Sequence, residues 1–341
     1  MSGGLSASDL DAAVAQGLID AKLAAKLGVF ARARATAAAA PDEESFRLLT
    51  GFNDIFVTIG LALFLGALGW LISQANMWLA QGVISVAAWL LAEVFTRKRH
   101  MALPSIALLA TFVASLYWLV AVAGASIFTD GGKSPAAFIA AGLVAAAGAA
   151  LHWRRFHVPI TVAAGVAALA ATFIAVLSIP FPEILSDHPV AVFLPIGLIA
   201  FALAMHFDIS DRERHTRRTD IAFWLHLVAA PAIVHPVVWN MVHVSNMVRT
   251  DALIILVIFL ILALVALIAD RRALLVSSLS YLIYAGGALI ASTAWESSAY
   301  AMAVLAVGAV VLLLSIAWRP LRAGLLSLMP AAIMRAVPPA S

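Results

Sequence analysis

The sequence predicts an all-α fold: a polytopic membrane bundle of about ten transmembrane helices, preceded by a small helical hairpin. Three observations lead there. Hydrophobic residues fill 64% of the 341 positions and charged residues only 11%, against about 45–50% and 25% in soluble domains. From residue 52 onward, apolar runs of about 20 residues follow one another, the length that a hydrocarbon core of roughly 30 Å demands. Lys and Arg crowd into alternate connections between those runs. A soluble domain cannot hide so much apolar surface, whereas a bilayer accepts it. Cysteine is absent, which removes disulfides, thiolate catalysis and cysteine-based metal sites.

Residues 1–46 form the first unit, a cytoplasmic hairpin and linker. Ser6 or Ser8 can cap a first helix, with Asp9 or Asp11 three residues on. Gly17 stands where a left-handed helix end is wanted, and Asp20 can cap a second helix. Leu10, Val14, Leu18, Leu23 and Leu27 supply a narrow apolar stripe, too little for an independent core. That stripe suits docking within the chain or on a protein partner. An Ala-rich run and the acidic "PDEES" then make a linker, and a signal peptide's apolar region and basic flank are missing.

The second unit, 47–320, is the bundle, with spans placed near 53–73, 77–95, 102–123, 136–153, 158–179, 189–207, 220–242, 251–269, 273–292 and 297–317. Residues 55–92 carry no charge, and "SQAN" at 73–76 is the turn within them. The eighth span is uninterrupted and expected to face lipid. The remainder, 321–341, is a cytoplasmic tail.

Connections read alternately "TRKRH" (96–100), "WRRFH" (153–157), "DRERHTRRTD" (211–220) and "DRR" (270–272), and the chain leaves the last span at "WRPLR" (318–322). All Lys and Arg except Lys133 and Arg249 lie in these segments or toward the termini. The positive-inside rule makes that side cytoplasmic, with both termini on it, and an even span count keeps "WRPLR" there. Anionic lipid headgroups explain the arginine loops better than nucleic acid does. Trp70, Trp78, Trp118, Trp239 and Trp295 are expected near the outer interface, and Trp153, Trp224 and Trp318 near the inner one.

A weak repeat runs through the same pattern. "RKRHMALPSIALLATFVASL" and "RRFHVPITVAAGVAALAATFIAVL" each place a histidine and then a proline after the arginines. Membrane topology and composition can produce that likeness, and so can a true internal repeat of the kind that builds transporters. The segments "AVAQGLIDAKLAAKL" and "FRLLTGFNDIFVTIGLALFLGALGWLI" resemble a family of uncharacterised bacterial multi-pass membrane proteins with a short N-terminal helical hairpin. The resemblance implies a bacterial inner-membrane location and this architecture. It implies no activity.

Chemistry concentrates in the seventh span, "WLHLVAAPAIVHPVVWNMVH" (224–243), which carries His226, His235 and His243 with Pro231, Pro236 and Asn240. In one helix His226 and His235 stand about 180° apart and about 13 Å along the axis, and His235 and His243 about 12 Å apart. Neither pair has the i, i+4 spacing that offers two imidazoles to zinc, so no metal site is read from this helix. Each proline removes an N–H and crowds the carbonyl four residues earlier, at Leu227 and Ala232. A bent or locally unwound helix between Leu227 and Pro236 is therefore expected, its polar side turned into the bundle. His226, His235 and Asn240 then make a polar pocket or pathway with Ser277, Ser280, Tyr281 and Tyr284 of "SSLSYLIY" (277–284), which share one helix face. A structural kink remains the alternative.

Asp54, Glu93, Asp208, Asp220 and Asp270 lie close to the arginine loops and read as helix caps and ion-pair partners. No nucleophile with a base, paired carboxylates at depth, metal motif or phosphate loop is recognisable, so neither catalytic residues nor a cofactor are assigned. The chain reads as a non-enzymatic scaffold or regulator. The alternative is a secondary transporter for a small solute or proton, working through the seventh helix.

Topology is the most direct test. Reporter fusions after residue 46, within 211–219 and after 320 should report cytoplasm, and fusions within 130–134 and 183–188 the outside. A cytoplasmic signal at 183–188 would mean that the preceding spans are miscounted.

Overall fold

The computed structural model describes residues 10, 13–28, 52–127, 134–212, 214, 216–244, 249–291, 296–331, 334 and 337–338. They are helical almost throughout, and no strand occurs among them. The chain divides into two compact units, Met1–Phe46 and Arg47–Ala340.

In the first unit, helical residues 13–15 end at Gly17, whose φ of 68° is left-handed. The Leu18 N–H reaches back to the Ala13 carbonyl at 2.9 Å, the closing bond of a Schellman turn. Asp20 then accepts the Leu23 N–H and opens the helix over 21–28. Both caps fall where the sequence places them. Their chemistry is local, so tertiary context has little to change.

Among its described residues the second unit contains ten long helices: α1 (Phe52–Ser73), α2 (Met77–Ala92, continued as a π-helical turn Glu93–Lys98), α3 (Ala102–Ile127), α4 (Pro135–Phe156), α5 (Ile160–Leu177), α6 (Pro189–Ser210), α7 (Arg217–Val244), α8 (Arg249–Ala269), α9 (Ala273–Ala291) and α10 (Ala299–Ser327). Nine helices among the described residues are long and apolar enough to cross a membrane. The remaining long one, α9, has 19 residues and packs against α7, α8 and α10.

Hydrocarbon tails are as apolar as leucine, so close packing rather than water exclusion must hold such helices together. The sequence answers with small residues. On α4 the buried set includes Ala137, Ala141, Ala145 and Ala149, an i, i+4 row along one face. Leu61 and Leu65 of α1 join Leu108, Leu109 and Phe112 of α3 in one cluster, which α4 and α5 complete. A second cluster gathers Val234, Ile255, Phe259, Leu274 and Trp318 from α7, α8, α9 and α10. Ala163, Ala204 and Leu225 bridge them where α5, α6 and α7 meet.

Two expectations need correction. The eighth span does not simply face lipid: Ala252, Ile255, Phe259, Leu262 and Ala266 of α8 are core, while Leu253, Val257, Leu260 and Leu264 are exposed. An all-apolar helix hides its own facing, because no polar residue marks the lipid side. α1 and α10 bury the smallest shares of their spans. The last helix also runs ten residues past the expected 317, to Ser327. A boundary at 320/321 would cut it, and the residues beyond are hydrogen-bonded to the bundle, as described below. Pro320 falls inside α10, where neighbouring groups can make up for a missing N–H.

Gly197 of α6 lies so close to α7 that a Cβ there would come within 2.9 Å of the Ile233 N and 3.1 Å of the Ala232 carbonyl carbon. A Cβ on Gly60 of α1 would meet nothing within 4 Å. Gly197→Val should therefore destabilise the folded bundle by about 1–3 kcal/mol in a detergent unfolding assay, the usual cost of overpacking. Gly60→Val should change it by less than about 0.5 kcal/mol. Equal effects at the two sites would contradict the close α6–α7 contact.

Candidate functional site

The arginine-rich connections meet at one end of the bundle. Glu93 of α2 accepts from Arg155 of α4 at 2.7 and 3.0 Å and from Arg97 at 3.2 Å. Arg217 of α7 donates to the His157 carbonyl at 3.5 Å. His100 and His157, the repeated histidines that follow the arginines, both adopt left-handed φ, 52° and 54°. The "RKRH" and "RRFH" segments thus share a backbone conformation that His tolerates better than most residues. Asp270, at the end of α8, has φ 56°, for which Asp is likewise suited.

The densest polar site lies at this end, and Asp208 is its centre. It sits near the end of α6 and is 2% exposed. Arg271, in the α8–α9 turn, donates Nε to Asp208 Oδ2 at 3.1 Å and Nη2 to Oδ1, a forked pairing suited to a guanidinium. Arg271 Nη2 also reaches the Thr219 carbonyl of α7 at 3.2 Å. His226 Nε2 lies 2.9 Å from Asp208 Oδ2. An ionised carboxylate only accepts, so His226 donates from Nε2. Its Nδ1 is buried and meets no partner among the described residues. Phe201 packs beside the ring at 5.3 Å between centroids.

A second carboxylate, Asp270, extends the cluster. Its Oδ2 pairs with Arg214 Nη1 at 3.0 Å, and its Oδ1 accepts Trp318 Nε1–H at 2.8 Å. Arg322 Nε stands 3.6 Å from the same Oδ1. Arg214 also donates to the Asp270 carbonyl at 2.9 Å, covering a helix-end acceptor. Burial, with Arg271 nearby, lowers the Arg214 pKa, and Asp270 works against that shift. Arg322 Nη2 donates to the Pro338 carbonyl at 2.6 Å, and Arg212 donates to the Val337 and Met334 carbonyls at 3.1 and 3.0 Å. The tail is held by arginines of the bundle. Trp318, expected as an interface anchor, lies at this end but is 2% exposed.

Among the described residues of the expected pocket around the seventh helix, His226 and His235 meet different partners. α7 is an unbroken helix through Pro231 and Pro236, so the local unwinding expected between Leu227 and Pro236 does not occur. A proline removes one N–H, and where a neighbouring helix packs closely the rest of the ladder continues. Gly197 of α6 brings that neighbour against Ala232, the residue whose carbonyl Pro236 crowds. His226 turns into the α6 cluster, whereas His235 is exposed on the bundle. The nine-residue separation puts them on opposite faces. His235 Nδ1 and the Tyr281 hydroxyl of α9 are hydrogen-bonded, so this much of the expected set is brought together. Tyr284 lies beside Tyr300 of α10, centroids 6.4 Å apart. The side chains of Asn240, Ser277 and Ser280 lie outside the described residues, as does that of His243.

Asp208 and Asp270 are ion-pair partners, as the sequence suggested. Their burial, and the joining of Asp208 to His226, were not foreseen. Arg271 and Arg322 were read as lipid-facing loop charges. The available signal was that each aspartate stands at a helix end beside arginines, a placement shared by many surface pairs. Chemically, a carboxylate orienting an imidazole resembles the base-and-orienter pair of hydrolases. Here the same carboxylate is forked by Arg271. Among the described residues no three His, Asp or Glu side chains converge as metal ligands.

The chain matches no protein-family model, no curated protein and no solved structure.

Asp208→Asn should leave Arg271 with an uncompensated buried charge. The expected loss is about 3–5 kcal/mol of stability, read as a lowered unfolding midpoint in detergent. Glu93→Gln, at a solvent-screened pair, should lower the midpoint far less. Comparable losses would show that the Asp208 cluster does not hold the bundle.

Proposed function

We propose that the chain is a non-enzymatic scaffold or regulator of the bacterial inner membrane. In this reading ten helices span the bilayer, the arginine end faces the cytoplasm and both termini lie there. The layout-level resemblance to bacterial multi-pass proteins with an N-terminal hairpin belongs to the same reading. The observation that carries it is the Asp208–Arg271–His226 cluster. Asp208 pairs with both Arg271 and His226 Nε2, and Arg271 also holds the Thr219 carbonyl, close to the helix ends, which suits a fixed frame. A frame needs somewhere to act, and Leu18 and Leu23 of the hairpin are exposed apolar residues suited to a protein partner. The arginines of the bundle's connections suit anionic headgroups.

A second reading, a secondary transporter for a proton or small solute, is favoured by one observation. The His235–Tyr281 hydrogen bond links α7 to α9 between groups that can both exchange protons.

Flux separates the two. The purified chain in proteoliposomes with an entrapped pH dye should dissipate an imposed pH gradient no faster than protein-free vesicles do. Dissipation that His235→Phe abolishes, while the variant still inserts and folds, would replace the first reading by the second.

A further inference from the structure

Left-handed backbone is uncommon for residues with a Cβ. Among the described residues it occurs at four non-glycine positions, His100, His157, Arg214 and Asp270, with φ between 52° and 56°. Each of the four arginine-rich connections holds one of them. Their spacing is nearly constant: 57 residues from His100 to His157, 57 more to Arg214 and 56 more to Asp270. The helix that leaves each connection starts two or three residues later, at Ala102, Ile160, Arg217 and Ala273. Local turn chemistry accounts for a left-handed residue at one helix end. It sets no interval between one such residue and the next. The sequence carries part of the same period, since "RKRH" (97–100), "RRFH" (154–157) and "RERH" (212–215) each place a histidine three residues after an arginine. The fourth connection, "DRR" (270–272), keeps only the arginines.

Packing follows the period as well. Each connection joins an incoming helix to an outgoing one that packs on it: α2 with α3, α4 with α5, α6 with α7, and α8 with α9. The outgoing helices then stand in file, α3 on α5, α5 on α7 and α7 on α9. Neighbouring connections are clasped by arginines at matching separations, always from the later pair back to the earlier one. Arg155 is forked on Glu93, 62 residues back. Arg217 donates to the His157 carbonyl, 60 residues back, and Arg271 is forked on Asp208, 63 residues back. Glu93 and Asp208 hold corresponding places, seven and six residues before the left-handed residue of their own connection. α1 and α10 lie outside the pairs. They pack on α2 and α3, and on α8 and α9, respectively, as end pieces of an array do.

We propose that residues 77–291 are a tandem array of four copies of one two-helix unit of about 57 residues, all running in the same sense, each clasped to the one before it by an arginine of its own connection. Positions one period apart are then equivalent. Glu93 and Asp208 become the same positioning residue in the first and third copies, and Arg155 and Arg271 their partners in the second and fourth. A whole copy can be removed or added between left-handed residues, because each copy meets its neighbours through the same surfaces. Parallel repeats serve transporters and fixed arrays alike, so the proposal goes beyond the function given above and does not depend on it.

The chain has no cysteine, so introduced pairs can be joined by a short bismaleimide in the purified protein without background. His157 and Arg217 are both exposed and in contact. In the full chain His157→Cys with Arg217→Cys should cross-link, and His100→Cys with Arg217→Cys should not. In a chain lacking residues 101–157, His100 takes the place of His157, and the 100–217 pair should gain the cross-link. A second chain carries 101–157 twice and keeps every native helix. There Arg217→Cys should cross-link to His157→Cys of the second copy and not of the first. Both altered chains should run as single monodisperse species in detergent. Aggregation of both, a monodisperse shortened chain without the 100–217 cross-link, or a lengthened chain whose residue 217 links to the first copy would each overturn the proposal.

Discussion

Asp208 can sit 2% exposed in an apolar bundle only because Arg271 and His226 meet it from two other directions. A carboxylate moved without partners into such surroundings would cost several kcal/mol. The requirement is therefore mutual: α6 must end where the α8–α9 turn passes, and α7 must present His226 at that height. The Arg271 bond to the Thr219 carbonyl adds the first turn of α7 to the same point. Asp270, one residue before Arg271, repeats the device, gathering Arg214, Trp318 and Arg322, and through Arg322 the tail at Pro338. Two carboxylates thus set the relative positions of all these segments.

Away from that end the bundle relies on shape. Helices in hydrocarbon gain little from hiding leucine, so close approach of backbones must supply the attraction. The alanine row of α4 and the Gly197 contact with α7 show how the sequence permits it. The same approach explains how α7 tolerates Pro236. A neighbouring backbone packs against the turn that Pro236 disturbs, and the helix passes through unbroken.

The two kinds of contact divide the labour along the helix axis. Packing of small and apolar side chains fills the length of the spans, while ion pairs gather where the helices end and the arginines lie. Glu93 with Arg155, and Arg217 with the His157 carbonyl, carry that polar edge across to α2 and α4. Glu93 is partly exposed and its pairs are weakened by solvent, unlike the Asp208 cluster. Stability at this end should be concentrated on α6, α7 and the α8–α9 turn.

Class, element positions and the segregation of charge could be read from the chain alone. Span length and apolar composition follow from the thickness and dryness of a bilayer, which act on every helix separately. The caps at Gly17 and Asp20 were legible for a related reason, since a cap is satisfied within a few residues. The facing of α8 was not legible, because a helix apolar all round carries no mark of its buried side. Nor was the separation of His226 from His235 into two environments. Their opposition on one helix follows from the nine-residue spacing, but what waits on each face depends on the packing of α6 and α9. Asp208 and Arg271 lie 63 residues apart in sequence. Only the tertiary fold could bring them together, because an ion pair across such a distance has no local signature: each partner, read alone, is an ordinary charge at a helix end.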